Sequence, residues 1–219
     1  MSKRYFVTGT GTGVGKTYVT CTLAMLARER GLQVVAHKPI ETGCSMVDGK
    51  RRGDDQMLLR AASSLWLQEV HDEQVQYGSY QLELPLAPSV AAAREGVEID
   101  LSQIQQVLDR AGQAPNKEPV DVFLVEGAGG WRVPITDRHE MRDLAKIVGG
   151  TVIVVGTAGL GTINHSLLTV EAVERDGFEV AALVLSNRLE DVEVQTNIAE
   201  IRKRWSGLVL TLGHLALLL

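Results

Sequence analysis

The chain has 219 residues, 45% apolar and 22% charged, with a formal net charge of −5. That length suits one α/β domain with a substantial core, and the composition is ordinary for a soluble globular protein. A net negative charge without a long basic tract argues against nucleic acid as the main partner, and the longest apolar runs are too short to cross a bilayer, so no membrane partner is expected.

Residues 4–8 read as a first strand, followed by Gly9-Thr10-Gly11-Thr12-Gly13-Val14-Gly15-Lys16-Thr17 and a helix over 16–30 that Gly31 terminates. A second strand, 33–37, runs into Lys38-Pro39. The basic run Lys50-Arg51-Arg52 reads as a solvated loop, and a helix follows over 54–62. The stretch 63–113 is less regular, with a helix at 101–111 and an irregular region around Pro85 and Pro88. Strands follow at 120–125, 151–156, 180–186 and 208–212, with helices at 163–176 and 192–205 between them. The apolar tail 215–219 is expected to pack on the core or on a partner subunit. Strands and helices that alternate in this way predict a single domain, 1–219, with a mostly parallel sheet covered by helices on both faces. Cys21 and Cys44 fit no metal spacing and suit a reducing cytosol, so a cytoplasmic location is expected. Lys3-Arg4 is followed by too few apolar residues for a signal peptide.

The segment 9–17 carries the strongest chemical signal. A glycine-rich turn between strand and helix points backbone N–H groups into one concavity, and the helix N-terminus adds partial positive charge. Lys16 supplies a cation for the outer phosphates of a nucleoside triphosphate, and the Thr17 hydroxyl can sit on Mg²⁺. The loop is one residue longer than the common phosphate loop, since Thr10 stands where that loop has its first glycine. A dinucleotide fingerprint would need glycine at Val14 and has no use for Lys16-Thr17. These features predict a P-loop NTPase-like fold.

Open parallel sheets bind ligands at the C-terminal ends of their strands, so the loops 9–17, 38–43, 126–131 and 159–165 are expected to share one crevice. Glu126 ends a buried strand and is placed to hold Mg²⁺, and Gly127-Ala128-Gly129-Gly130 lets the backbone approach a ligand. A solvated strand-end glutamate is the alternative. Asp54 and Asp55 open a helix, where either can serve as a cap, while Asp55 can also join Thr17 and Glu126 around the metal. Lys38, held by Pro39, can neutralise charge on a transferred phosphoryl group; alone it would read as a surface lysine. None of the five histidines has zinc-ligand spacing, and His165 alone lies near a ligand loop.

In order along the chain, Tyr5-Phe6-Val7-Thr8-Gly9-Thr10, Val14-Gly15-Lys16-Thr17, Lys38-Pro39-Ile40-Glu41-Thr42-Gly43, Val125-Glu126-Gly127-Ala128-Gly129-Gly130-Trp131 and Leu160-Gly161-Thr162-Ile163-Asn164-His165 resemble the dethiobiotin synthetase family. The longer phosphate loop is itself a trait of that family. The resemblance implies an ATP-dependent ligase of biotin formation that acts on a diaminononanoate and CO₂. One amine takes up CO₂ as a carbamate, ATP phosphorylates it, and the second amine closes a cyclic urea. Catalysis would then fall to Lys16 and Lys38. The nucleotide would meet Gly13, Val14, Gly15, Lys16, Thr17, Tyr18, Asp55, Glu126, Gly127, Ala128 and Gly129, with Asn187 at the adenine. Mg²⁺ would bind Thr17, Asp55 and Glu126. Thr42, Gly161, Thr162 and Asn164 would contact the diamine substrate, the last three across the interface of a homodimer.

Several positions depart from the family pattern. Gly11 stands where aspartate is usual, Ser89 where histidine is common, Arg188 where aspartate follows the asparagine, and Ala216 where a turn has proline. The last two predict a looser preference for adenine, which turnover with other nucleoside triphosphates would reveal and strict ATP dependence would refute. Two rivals share the sheet. Partition-type ATPase switches carry a signature lysine at the place of Gly11, and cobyrinate-type synthetases normally carry a glutaminase domain for which this chain has no room.

Overall fold

Alternate residues of the central strands face opposite cores. Tyr5 and Val7 join one apolar cluster, and Phe6 joins the other; Leu124 and Ile153 fall on the first side, and Phe123, Val125, Val152 and Val154 on the second. A strand buried on both faces needs this continuous apolar run rather than a polar–apolar alternation. The computed structural model describes residues 2–186 and 194–219.

In chain order the strands are β1 (Lys3–Gly9), β2 (Val34–His37), β3 (Ile40–Thr42), β4 (Ser45–Val47), β5 (Lys50–Arg52), β6 (Tyr80–Leu82), β7 (Val122–Gly130), β8 (Thr151–Thr157), β9 (Val180–Ser186) and β10 (Val209–Thr211). The α-helices are α1 (Lys16–Glu29), α2 (Asp54–Ala62), α3 (Glu73–Tyr77), α4 (Pro88–Glu95), α5 (Leu101–Ala111), α6 (Met141–Val148), α7 (Thr162–Arg175) and α8 (Val194–Arg202). Six strands form one parallel sheet in the order β10-β9-β8-β1-β7-β2. β1 has β8 on one side and β7 on the other, so the strand order reverses there. The ends of β1, β2 and β7 therefore open into one crevice.

Helices α1 and α2 cover one face through Val19, Leu23, Ala27 and Leu59. The opposite face is packed by Ile104 and Leu108 of α5, Met141 and Leu144 of α6, Val173 of α7 and Ile201 of α8. The C-terminal tail packs on the core rather than reaching outwards. Leu215 and Leu218 are buried in the first cluster, and Tyr5 Oη donates to the Leu218 carbonyl at 2.6 Å.

The basic run is not a loop. Residues 45–52 form the β4–β5 hairpin, turned by Asp48 and Gly49, both at positive φ, and Arg51 pairs with Glu83 and Glu95. The region around Pro88 is also regular, because Pro88 is the first residue of α4, where a missing N–H costs nothing. Helix α6, absent from the expected elements, is closed by a reciprocal capping box between Glu140 and Asp143.

Candidate active site

The loop after β1 folds as its glycines require. Gly13 and Gly15 adopt φ of 74° and 93°, and Gly15 caps α1 from the left-handed region, where a β-carbon is costly. A Cβ on Gly9 would meet Val14 at 2.8 Å, so glycine is needed there for close approach. The loop lines a cleft of about 720 Å³, together with Lys38, Thr42, Asp55, the segment 85–88, Glu126, Ala128, Gly129 and Val133.

The predicted charged residues converge in this cleft. Lys38 Nζ lies 2.9 Å from Glu126 Oε1 and is hydrogen-bonded to Asp55 Oδ2. Thr17 Oγ1 donates to Glu126 Oε1 at 3.0 Å, and Thr20 Oγ1 donates to Oε2 at 3.1 Å. Glu126 is fully buried, so its charge is carried by one ammonium and two hydroxyls rather than by water. It is not the solvated strand-end residue that β7 alone would suggest.

Burial lowers the Lys16 ammonium to about 8, against the attraction of Glu126, and Lys38 adds to the lowering. Lys16 Nζ donates to the Gly11 carbonyl at 3.0 Å, within the loop. For Lys38, burial also opposes the charge, but Glu126 and Asp55 outweigh it and hold the ammonium well above its usual range. Burial would raise Asp55; the Lys38 ammonium, with Thr17 and Lys16, holds it below the usual carboxylate range instead.

Asp54 and Asp55 are not caps. The N-cap of α2 is Gly53, and the N–H groups of Asp55 and Gln56 bond to Glu41, whose carboxyl is raised by burial against the pull of Lys38. The role of Glu41 was not legible in the sequence, since its partners lie fourteen and fifteen residues on. Thr20 was missed as well. Its signal is its place three residues after Thr17, on the same face of α1. The apolar wall formed by Leu86, Ala87 and Val133 carries no chemical pattern at all.

Other expected residues stand outside the cleft. The Tyr18 side chain is exposed on α1, and Gly127 packs against Phe6, where a Cβ would approach the ring to 2.8 Å. The fourth loop does not join the crevice of its own chain. Thr162 is buried, its hydroxyl bonded to the Thr157 carbonyl and Ser166, and Gly161 caps α7 at φ 90°. Asn164 and His165 are exposed on α7, and Leu160 is fully exposed beside them. Asn187 and Arg188 lie outside the described residues. Ser186, just before them, bonds through Oγ to the Val14 carbonyl, which brings the end of β9 against the phosphate loop.

An AAA domain family model matches residues 3–216. Among solved structures, the MinC:MinD cell division protein complex of Aquifex aeolicus aligns over 95% of this chain and 79% of that one, with a TM-score of 0.56 at 12% identity. Chloroplast FtsY from Physcomitrella patens aligns over 95% of this chain and 57% of that one, with a TM-score of 0.53 at 18% identity. These two likenesses describe the P-loop fold alone. Curated sequences are much nearer. The chain is 44% identical over 178 residues to ATP-dependent dethiobiotin synthetase BioD of Tolumonas auensis, covering 80% of this chain and 74% of that protein. It is 38% identical over 205 residues to the protein of that name from Aromatoleum aromaticum, covering 92% and 86%. It is 44% identical over 201 residues to that of Anaeromyxobacter sp. strain K, covering 90% and 83%. With its extended phosphate loop, and with Lys38, Asp55 and Glu126 gathered beside it, the chain belongs to the ATP-dependent dethiobiotin synthetase family.

Proposed function

We propose that this chain is an ATP-dependent cyclo-ligase of biotin biosynthesis, which joins 7,8-diaminononanoate and CO₂ into dethiobiotin and releases ADP and phosphate. The observation that carries the reading is the Lys38 ammonium, held between Glu126 and Asp55 inside the cleft that the phosphate loop lines. We read residues 1–219 as one P-loop ligase domain.

One amine of the substrate adds to CO₂ and loses a proton, giving a carbamate anion. A carbamate oxygen attacks the γ-phosphorus, ADP leaves, and a carbamic–phosphoric anhydride forms. The second amine then attacks the carbonyl carbon and expels phosphate as the urea ring closes. Two anions must meet in the second step, so charge neutralisation and alignment are the main tasks of the protein. Lys16 and the N–H groups of the loop hold the outer phosphates. Lys38 is placed to neutralise the carbamate and the transferred phosphoryl group, and Thr42 faces the same cleft for the diamine.

The donor chemistry at this point suits magnesium. Thr17, Asp55 and Glu126 offer hard oxygens there. When bound there, Mg²⁺ would supply charge neutralisation at the phosphate oxygens.

The exposure of Leu160 and Asn164, away from their own cleft, supports a homodimer in which this loop serves the partner's substrate site. Two free cysteines and the small-molecule chemistry support a cytoplasmic location; among the described residues no helix is long and apolar enough to cross a membrane.

The test is incubation of the pure protein with diaminononanoate, bicarbonate and MgATP, with the cyclic urea detected by mass spectrometry. ATP hydrolysis that ignores the diamine would overturn the ligase reading in favour of a nucleotide switch. Gly11, at the place of the switch lysine, speaks against that outcome.

A further inference from the structure

Helix α2 begins without a side chain of its own to cap it. Its N-cap is Gly53, in extended backbone at φ −94° and ψ 132°. Glu41, only 6% exposed, supplies the cap from β3. Its two carboxylate oxygens accept the N–H groups of Asp55 at 3.0 Å and Gln56 at 2.9 Å. A Cβ at position 53 would lie 2.1 Å from Glu41 Oε2, so Glu41 can hold this place only because residue 53 is glycine.

The same junction is pinned a second time. Gln56 Nε2 donates to the Lys38 carbonyl at 3.0 Å, and Gln81 Nε2 donates to Gln56 Oε1 at 2.9 Å. The first of these bonds is buried and ties the backbone that carries Lys38 to the helix end that carries Asp55; the second holds the Gln56 amide in place.

The cap also decides where the Asp55 carboxylate goes. An aspartate in the first turn of a helix competes for the free N–H groups around it. Glu41 has taken those donors, and the Asp55 carboxylate turns to Lys38 in the cleft. We propose that Glu41 is a positioning residue of the active site: it holds the start of α2 against the loop after β2, keeps Asp55 directed at the cleft, and so sets the affinity of the nucleotide complex for Mg²⁺. The inference rests on Asp55 being a metal ligand, as read above.

The experiment is titration calorimetry of ADP against the full-length protein over a series of Mg²⁺ concentrations, with thermal melting of each variant alongside. Glu41→Ala is expected to raise the Mg²⁺ concentration for half-maximal enhancement of ADP binding about tenfold or more, with ADP affinity in EDTA within about twofold of wild type. Glu41→Gln, which preserves volume and keeps one acceptor, is expected to show a smaller shift and guards against failure of the alanine variant to fold. Asp100→Ala removes an ordinary cap from α5, where Asp100 accepts from Ser102 N at 2.7 Å. It is expected to lower the melting temperature without moving the Mg²⁺ dependence. Asp55→Asn is expected to shift that dependence at least as far as Glu41→Ala. If Asp55→Asn shifts it and the Glu41 variants only melt earlier, Glu41 is a structural cap and the proposal is overturned. An unchanged Mg²⁺ dependence in Asp55→Asn would instead overturn the metal reading beneath it.

Discussion

Lys38 and Glu126 form an ion pair of 2.9 Å in which the carboxylate is wholly buried and the ammonium nearly so. Removing one partner of such a pair leaves the other charged in a low dielectric, at a cost of about 3 kcal/mol. The hydroxyls of Thr17 and Thr20 stay on Glu126 and moderate the loss. Lys38→Ala is therefore expected to fold, to unfold at lower urea concentration, and to lose about 100-fold or more in kcat while still binding ADP. Near-wild-type turnover would remove Lys38 from the mechanism.

His37 ends β2 and is almost completely buried, and burial lowers its imidazole to about 4. The unfolded chain binds a proton near the ordinary value of about 6.5, so between pH 6.5 and 4 the unfolded state holds more protons than the folded one. Stability is thus full above pH 6.5 and falls as the solution is acidified, by up to about 3 kcal/mol from this group. Urea unfolding at pH 7 and pH 5 measures the slope, and His37→Asn is expected to flatten it. A wild-type slope unchanged by that substitution would refute the assignment.

Gly15 combines two demands that only glycine meets. Its φ of 93° costs other residues about 1–2 kcal/mol, and a Cβ there would lie 2.9 Å from Ser186 Oγ and 3.1 Å from Ser186 Cβ. Gly13, at φ 74°, has nothing within 4 Å of its would-be Cβ. Gly15→Ala is expected to weaken ADP binding at least tenfold. Gly13→Ala, which bears the backbone strain alone, should weaken it less. Calorimetry on both variants checks the order.

The motifs that name the chemistry were legible because each is contiguous: a glycine loop, a lysine before proline, a carboxylate closing an apolar run, although β7 continues past that carboxylate to Gly130. The sheet was legible for a related reason. Strands such as 151–156, buried on both faces, are short β-branched apolar runs. What escaped depended on distant partners. Glu41 gains its role from Gly53 and two N–H groups that only the fold brings near. The hairpin at 45–52 read as a loop, because its turn at Asp48-Gly49 lacks alternating apolar flanks and its acidic partners Glu73, Glu83 and Glu95 carry no local pattern; the charge itself is exposed, as at Lys50. Helix α6 was hidden between a glycine-rich strand end and a buried strand. The crevice was drawn one loop wider than the cleft of this chain, because strand order cannot tell whether a loop closes its own site.

That last distinction yields a sharp test. If the loop 159–165 serves the partner's cleft, each complete site takes Lys38 from one subunit and Asn164 from the other. Asn164→Ala should then raise the KM for the diamine with little change in nucleotide affinity, since the exposed side chain does not line the cleft of its own chain. Mixing inactive Lys38→Ala with Asn164→Ala, followed by subunit exchange, creates dimers in which one site has lost both residues and the other has kept both. At low diamine concentration the exchanged mixture should recover about a quarter of wild-type activity, because about half of the dimers are mixed and each holds one intact site. Activity no greater than the average of the two separate variants would mean that the loop does not cross between subunits, and the site would have to be completed within one chain.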